Sequence, residues 1–236
     1  MEPPSIIYED HFLRVATLKG GGSGGRALLS FTGIGHALGG LDVQQPEFTK
    51  ASGGYDRIFY ISDLTRSWGN RLDFGLIKDL LQRDALEMRY DAVGNSMGGF
   101  LALLAPSVLP IEHTLAFVPQ FSVHPKIAIW ETRWQEYRKA ILSWKYESLE
   151  GVWNDATSYF VFSSSHGLDA EHATRIPAAS NITVTMLGGG GDHAIAQQLK
   201  SAGLLNETVT RCMNETYSKE WLLNALASAE KSAGDQ

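Results

Sequence analysis

The sequence predicts an α/β fold built on one mostly parallel central sheet with helices on both faces. Two observations lead there. Short apolar, β-branched runs recur at Ala27–Phe31, Arg57–Ser62, Tyr90–Gly94, Thr114–Val118, Tyr159–Ser163 and Ile182–Leu187, most of them cut off abruptly by Gly, Asp, Ser or Pro. Buried parallel strands have that signature. Helical patterns separate the runs, and strands alternating with helices make a parallel sheet covered on both sides. At 236 residues the chain fits a single domain, 1–236, with no repeat or domain-separating linker.

Taken in order, Ile6–Leu18 is expected to supply one or two edge strands. The glycine cluster Gly20–Gly25 lacks a Gly-Lys-Ser/Thr ending and precedes a strand, so it reads as a flexible turn and not as a phosphate loop. A helix is expected from near Asn70, because Leu72, Leu76, Ile77 and Leu80 share one face and Asn70 with Asp73 resembles an N-terminal cap. Met97–Ala105 is apolar all round, the mark of a buried helix, and Pro106 stops it. Glu215–Ala233 fits a last helix that packs through Trp221, Leu222, Ala225, Leu226 and Ala229.

The segment Pro125–Ala156 differs from the rest. It holds Trp130, Trp134, Trp144 and Trp153, four of the six tryptophans, with Tyr137 and Tyr146. Its length allows one or two helices, a short aromatic-rich helical insert instead of a full cap. Such rings either pack onto the core or offer flat apolar surface to a substrate.

Composition removes whole classes of function. Lys and Arg number 20 against 26 Asp and Glu, a net charge of −6 without a basic cluster, so nucleic-acid binding is not expected. No apolar run reaches the roughly 18 residues of a membrane span, and the start MEPPSIIYEDHF lacks the basic and apolar regions of a signal peptide. A cytoplasmic protein is expected. The one cysteine, Cys212, permits neither an intrachain disulfide nor a cysteine-built metal site. Three Asn-x-Thr triplets, at Asn181, Asn206 and Asn214, are therefore read as chance matches to the glycosylation pattern.

The sharpest chemical signal is Gly94-Asn95-Ser96-Met97-Gly98, a G-x-S-x-G pentapeptide. About 0.2 such matches are expected by chance in a chain of this composition. Its setting carries the weight: a strand leads in and an apolar helix leads out, the strand–turn–helix context that stands a serine on a tight turn above a sheet. Serine needs a base to take its proton. His193 follows the last expected strand through Gly188–Gly191 and precedes the helix-like Ala194–Leu199. His36, His124 and His166 also follow strands, whereas His11, His113 and His172 do not. An acid must orient the imidazole. Asp169, just beyond strand Tyr159–Ser163, is the first candidate, with the N-cap of helix-like Ala170–Arg175 as its structural alternative; Glu171 and Asp63 are rivals. Asp192 adjoins His193, and neighbouring side chains of an extended chain point apart. The order Ser96, Asp169, His193 differs from chymotrypsin-like and subtilisin-like proteases, and every member follows the C-terminal end of a parallel strand.

On these residues the chain resembles the α/β-hydrolase superfamily, from about Ala27 to Leu199. The resemblance implies an α/β-hydrolase fold and a serine hydrolase with no cofactor and no metal. It also implies an oxyanion hole after the third strand, where Phe31-Thr32-Gly33-Ile34-Gly35 replaces the usual His-Gly or Gly-Gly pair with Thr32-Gly33. By position, the backbone N–H of Ile34 joins that of Met97, with Gly33 as fallback. Trp68, in a loop at the same sheet edge that also carries Arg66, His124, Trp130 and Trp134 are candidate substrate contacts. The expected activity is cleavage of a small-molecule carboxylic ester. Acyl transfer to a sugar or other alcohol, and a non-catalytic binding role, are the alternatives, since this fold hosts all three.

Overall fold

The computed structural model describes residues 3–35, 44–85, 87–188 and 193–234. His36, the glycines at 189–191 and Asp192 lie outside the described residues. Among the described residues eight strands form one sheet: β1 (Ser5–Glu9), β2 (Leu13–Lys19), β3 (Arg26–Phe31), β4 (Arg57–Asp63), β5 (Arg89–Asn95), β6 (Ile111–Phe117), β7 (Ser158–Ser164) and β8 (Ile182–Leu187). Their spatial order is β1-β2-β4-β3-β5-β6-β7-β8. The β1–β2 and β2–β4 pairs are antiparallel, and every pair from β4 through β8 is parallel. All six runs expected as parallel strands are strands, and Ile6–Leu18 falls on two strands, β1 at the sheet edge and β2 next to it.

Period-two alternation divides the central strands between two cores. Ala27, Leu29 and Phe31 of β3, with Phe59 and Ile61 of β4, face one layer. Leu28, Ile58 and Tyr60 face the other. Both faces are buried, so the strands read as continuous apolar runs. Phe31, Phe59, Phe117 and Phe162 are fully enclosed, each contributing roughly 1.5–3 kcal/mol by burial.

The described residues also form seven α-helices: α1 (Phe74–Ala85), α2 (Met97–Leu104), α3 (Gln135–Ala140), α4 (Gly167–Ala173), α5 (Ile195–Ser201), α6 (Leu205–Met213) and α7 (Lys219–Gly234). Every residue of α2 is buried, and Pro106 sits in the short 3-10 turn that ends it. Helix α1 begins four residues later than Asn70. Asp73 Oδ1 accepts the N–H of Leu76 at its start, whereas Asn70 Oδ1 accepts the N–H groups of Lys145 and Tyr146 and pins the insert. The glycine cluster is a turn, as expected, and is tied down: the N–H of Gly20 donates to Asp56 O and that of Gly22 to Tyr55 O.

The insert holds one short helix, α3, and otherwise runs as turns. Trp134, Tyr137, Trp144, Tyr146 and Trp153 are partly buried against the first core layer, so the aromatic segment is mostly packing. Among the described residues no helix is long and apolar enough to cross a membrane.

Candidate active site

The strand order reverses at β3. From there the chain moves to β4 on one side, then crosses back to β5 on the other. The crevice at such a switch point, beyond the C-terminal strand ends, is where open α/β sheets build sites. The loop after β3, the turn after β5 and the segments after β7 and β8 all reach this edge.

Ser96 occupies the turn between β5 and α2 with φ 57° and ψ −120°. Its N–H donates to Phe117 O at 2.9 Å and its carbonyl accepts from Phe100 N at 3.0 Å, so the turn is held on both sides. Glycine is obligatory around it. A Cβ on Gly94 would lie 2.1 Å from Gly98 O, and one on Gly98 would lie 2.2 Å from Phe31 O.

Nε2 of His193 is 2.7 Å from Ser96 Oγ. Its Nδ1 is 3.0 Å from each oxygen of Asp169. Asp169 lies in the first turn of α4 and is not that helix's N-cap, which is His166. Its side chain is fully buried. Burial pushes the carboxyl up, but hydrogen bonds and positive charge from His193 and Arg133 outweigh it and hold Asp169 below the usual aspartate value.

The rivals are accounted for. Asp63 is consumed by its own loop, accepting from Ser67 N, Ser67 Oγ and Gly69 N. Glu171 is exposed. His113 contacts Asp91 at 2.7 Å, and His166 contacts Ser165. Asp91, Glu112 and His113 hold ligand atoms within 4.8 Å of one another. The oxygens of Asp91 are already engaged by Arg26, Tyr55 and His113, so the group is a satisfied structural cluster at the other end of the strands.

Gln120, after β6, is a contact the sequence reasoning passed over. Its Nε2 donates to Ser96 Oγ at 3.2 Å, and its Oε1 accepts Trp68 Nε1–H at 3.0 Å. Indole N–H is only a donor, so Trp68 fixes which end of the amide faces the serine. With Gln120 donating to Oγ, the Ser96 O–H is left to donate to His193 Nε2. Trp68 itself is fully enclosed. It therefore cannot offer surface to a substrate, a correction to its expected role.

The remaining candidates separate clearly. The ring of Trp134 lies 6.1 Å from that of His193. Trp130 instead stacks under the Arg175 guanidinium at 4.0 Å. His124 packs edge-on to Trp144 at 4.7 Å, and its Nδ1 accepts the N–H of Lys126. Arg66 donates to Leu64 O and lies over the Tyr137 ring.

Of the oxyanion candidates, Met97 starts α2, where first-turn N–H groups have no intrahelical partner. Ile34 follows Gly33 with its side chain in the core. The N–H of Gly33 is taken: it donates to Glu47 Oε1 at 3.0 Å, which removes the fallback donor. Burial raises the Glu47 carboxyl to about 7, with the Gly33 hydrogen bond opposing it.

A second group missed in the sequence lies behind Asp169. Arg133 NH1 donates to Asp169 Oδ1 at 2.8 Å and sits 3.1 Å from His193 Nδ1. Its Nε and NH2 donate to Glu131, the latter at 2.7 Å. His172 Nδ1 accepts the N–H of Phe121, which leaves the ring proton on Nε2, 2.9 Å from Glu131 Oε2. Burial pushes Glu131 up, but the His172 and Arg133 bonds and the guanidinium charge hold it at about 2.

No protein-family model and no curated protein matches the chain. Solved structures do. An α/β serine hydrolase homologue from Coxiella burnetii superposes with TM-score 0.55 at 10% identity, over 91% of this chain and 97% of that one. The capsule O-acetyltransferase of Neisseria meningitidis serogroup A gives 0.57 at 15% identity, over 85% and 93%. A carboxylesterase from Bacillus subtilis gives 0.50 at 16% identity, over 90% and 92%. The chain has the α/β-hydrolase fold.

Proposed function

We propose that the protein is a serine hydrolase that cleaves a carboxylic ester through an acyl-enzyme on Ser96. The observation that carries this reading is the continuous contact from Ser96 Oγ to His193 Nε2 at 2.7 Å and from His193 Nδ1 to Asp169 at 3.0 Å. In that tautomer His193 removes the Ser96 proton as Oγ attacks the acyl carbonyl. Asp169 orients the imidazole and stabilises its charged form. The N–H groups of Met97 and Ile34 receive the developing oxyanion, a contribution of about 2.7–4 kcal/mol for each such donor. His193 then protonates the departing alcohol. Water, deprotonated by the same imidazole, attacks the acyl-enzyme and releases the acid.

Acyl transfer to an alcohol shares the same acyl-enzyme. The fold likeness to the meningococcal O-acetyltransferase keeps it as the second reading, and the partition of acyl-enzyme between water and an added alcohol separates the two.

The test is labelling with a fluorophosphonate probe, comparing wild type with Ser96→Ala and His193→Ala. Label on Ser96 that is lost in both folded variants supports the reading. A folded wild type that takes no label and cleaves no short or medium acyl ester overturns it.

A further inference from the structure

We propose that Arg133 is a positioning residue for the Asp169–His193 pair, holding the buried Asp169 carboxylate charged and turned toward the imidazole, with Glu131 and His172 as its anchor. The inference rests on the triad reading above and adds to it a control on when the pair accepts a proton. Asp169 has no exposed side-chain surface, and Glu131 has none either. Two carboxylates in that position are not tolerated without a cation between them. Arg133, with 21% of its side chain exposed, supplies it. NH1 turns to Asp169, while Nε and NH2 fork onto Glu131. The backbone N–H of Arg133 also donates to Glu131 Oε1 at 2.7 Å, locking the fork to its own turn. The guanidinium is thus bound to both acids at once, through NH1 on one side and Nε with NH2 on the other.

The anchor is itself anchored. Arg138, buried in α3, donates to the carbonyls of Val123, Ala128 and Glu131, tying the insert together beneath the pair. The groups that face Asp169 and His193 are therefore Arg133 and Glu131 from the insert, His172 from α4 behind Glu131, and Ser96 with Gln120 on the Nε2 side. With Nδ1–H on His193, that N–H and Arg133 NH1 converge on Asp169 Oδ1 as two donors on one acceptor. Arg133 NH1 sets a positive charge 2.8 Å from Asp169 Oδ1 and 3.1 Å from His193 Nδ1, and the Glu131 carboxylate sets a negative charge on the far side of that guanidinium. The two charges consequently have opposite effects on one observable, the pH below which the serine loses its activation.

The experiment measures the second-order rate of Ser96 labelling by a fluorophosphonate between pH 5 and 9, in the full chain and in folded Arg133→Met, Arg133→Lys and Glu131→Gln. Arg133→Met is expected to shift the acid limb upward, on the order of one pH unit, because it removes a positive charge 3.1 Å from His193 Nδ1. Its labelling rate at neutral pH is expected to fall several-fold. Added methylguanidinium restores part of the rate, and Arg133→Lys lies between. Glu131→Gln shifts the limb the other way, toward acid, and decides the matter should Arg133→Met not fold. Limbs that coincide with wild type, or that move in the same direction in both variants, overturn the proposal and leave Arg133 as a strut. Absence of Ser96 labelling in the wild type is a separate result: it overturns the triad reading and this inference with it.

Discussion

Ser96→Gly should be more stable than Ser96→Ala, although both lack the hydroxyl. The serine sits at φ 57°, ψ −120°, outside even the left-handed well, and such a conformation costs a residue with a Cβ about 1–3 kcal/mol. With ψ so far from that well, a value near the top of the range, roughly 2.5 kcal/mol, is appropriate. Both substitutions give up the contacts to His193 at 2.7 Å and Gln120 at 3.2 Å, so those losses cancel. Glycine forfeits about 0.4–1 kcal/mol through the freer unfolded chain and about 0.8 kcal/mol for the buried carbon. The balance is about 1 kcal/mol in favour of glycine. In a chain of this length that corresponds to roughly 2–4 °C in Tm. Calorimetry of the two variants at pH 7, with urea titrations beside it, measures the difference. A glycine variant that melts at or below the alanine variant refutes the argument that the tight turn holds its serine under strain.

Two further outcomes follow from contacts at the same edge. Trp68→Phe keeps a ring in the core but strands Gln120 Oε1, which now accepts the indole N–H at 3.0 Å. The cost is about 1–3 kcal/mol for an unpaired buried acceptor, and the freed amide lowers the Ser96 labelling rate several-fold; an unaltered rate counts against Gln120 as an orienting donor. Glu47 is raised in the folded protein from 4.5 to about 7, chiefly by burial. A carboxyl raised on folding takes up a proton, so Glu47's contribution to stability declines as pH rises from about 4.5 to about 7 and is level above. Glu47→Gln removes that decline and is more stable at pH 8 by at most about 3.4 kcal/mol. Urea unfolding of both proteins at pH 6 and pH 8 reads it, and parallel pH dependence in the two would contradict the raised carboxyl.

The strands were legible because burial on both faces leaves little freedom in what they contain. Run Ile182–Leu187 coincides with β8, and the other central strands extend their runs by one or two residues. β6 is the exception, starting at Ile111, three residues early, because Glu112 and His113 interrupt its apolar pattern. His113 is there to meet Asp91 on the neighbouring strand, a partner no periodicity reveals. Asn70 misled for a related reason. It has the chemistry of a cap, but its carboxamide is committed to Lys145 and Tyr146, about 75 residues away. Helix α6 went unread because Asn, Thr and Cys weigh against helix in isolation. Val209, Cys212 and Met213, packed into the second core layer, override that preference.

The same distinction divides the site. Ser96, Asp169 and His193 were readable because each is tied to a local constraint: a glycine-bounded turn, a strand end, a glycine run before a helix. Arg133 has no such constraint. In sequence it is one charge in the triplet Glu131-Thr132-Arg133 between two tryptophans, and a short charged run usually marks a solvated face. Its meaning comes from partners 36 and 60 residues away, Asp169 and His193, and from His172, which is 41 residues beyond Glu131. The available signal was the placement of an acid and a base inside the one segment that is otherwise aromatic. Charges there must either reach water or find each other, and burial of Glu131 shows which of the two occurs. An ion pair so placed contributes little net stability for its desolvation cost. Breaking it would still be costly, so a loss of stability alone does not identify its role, and the opposed limb shifts of Arg133→Met and Glu131→Gln are what separate control of the pair from support of the fold.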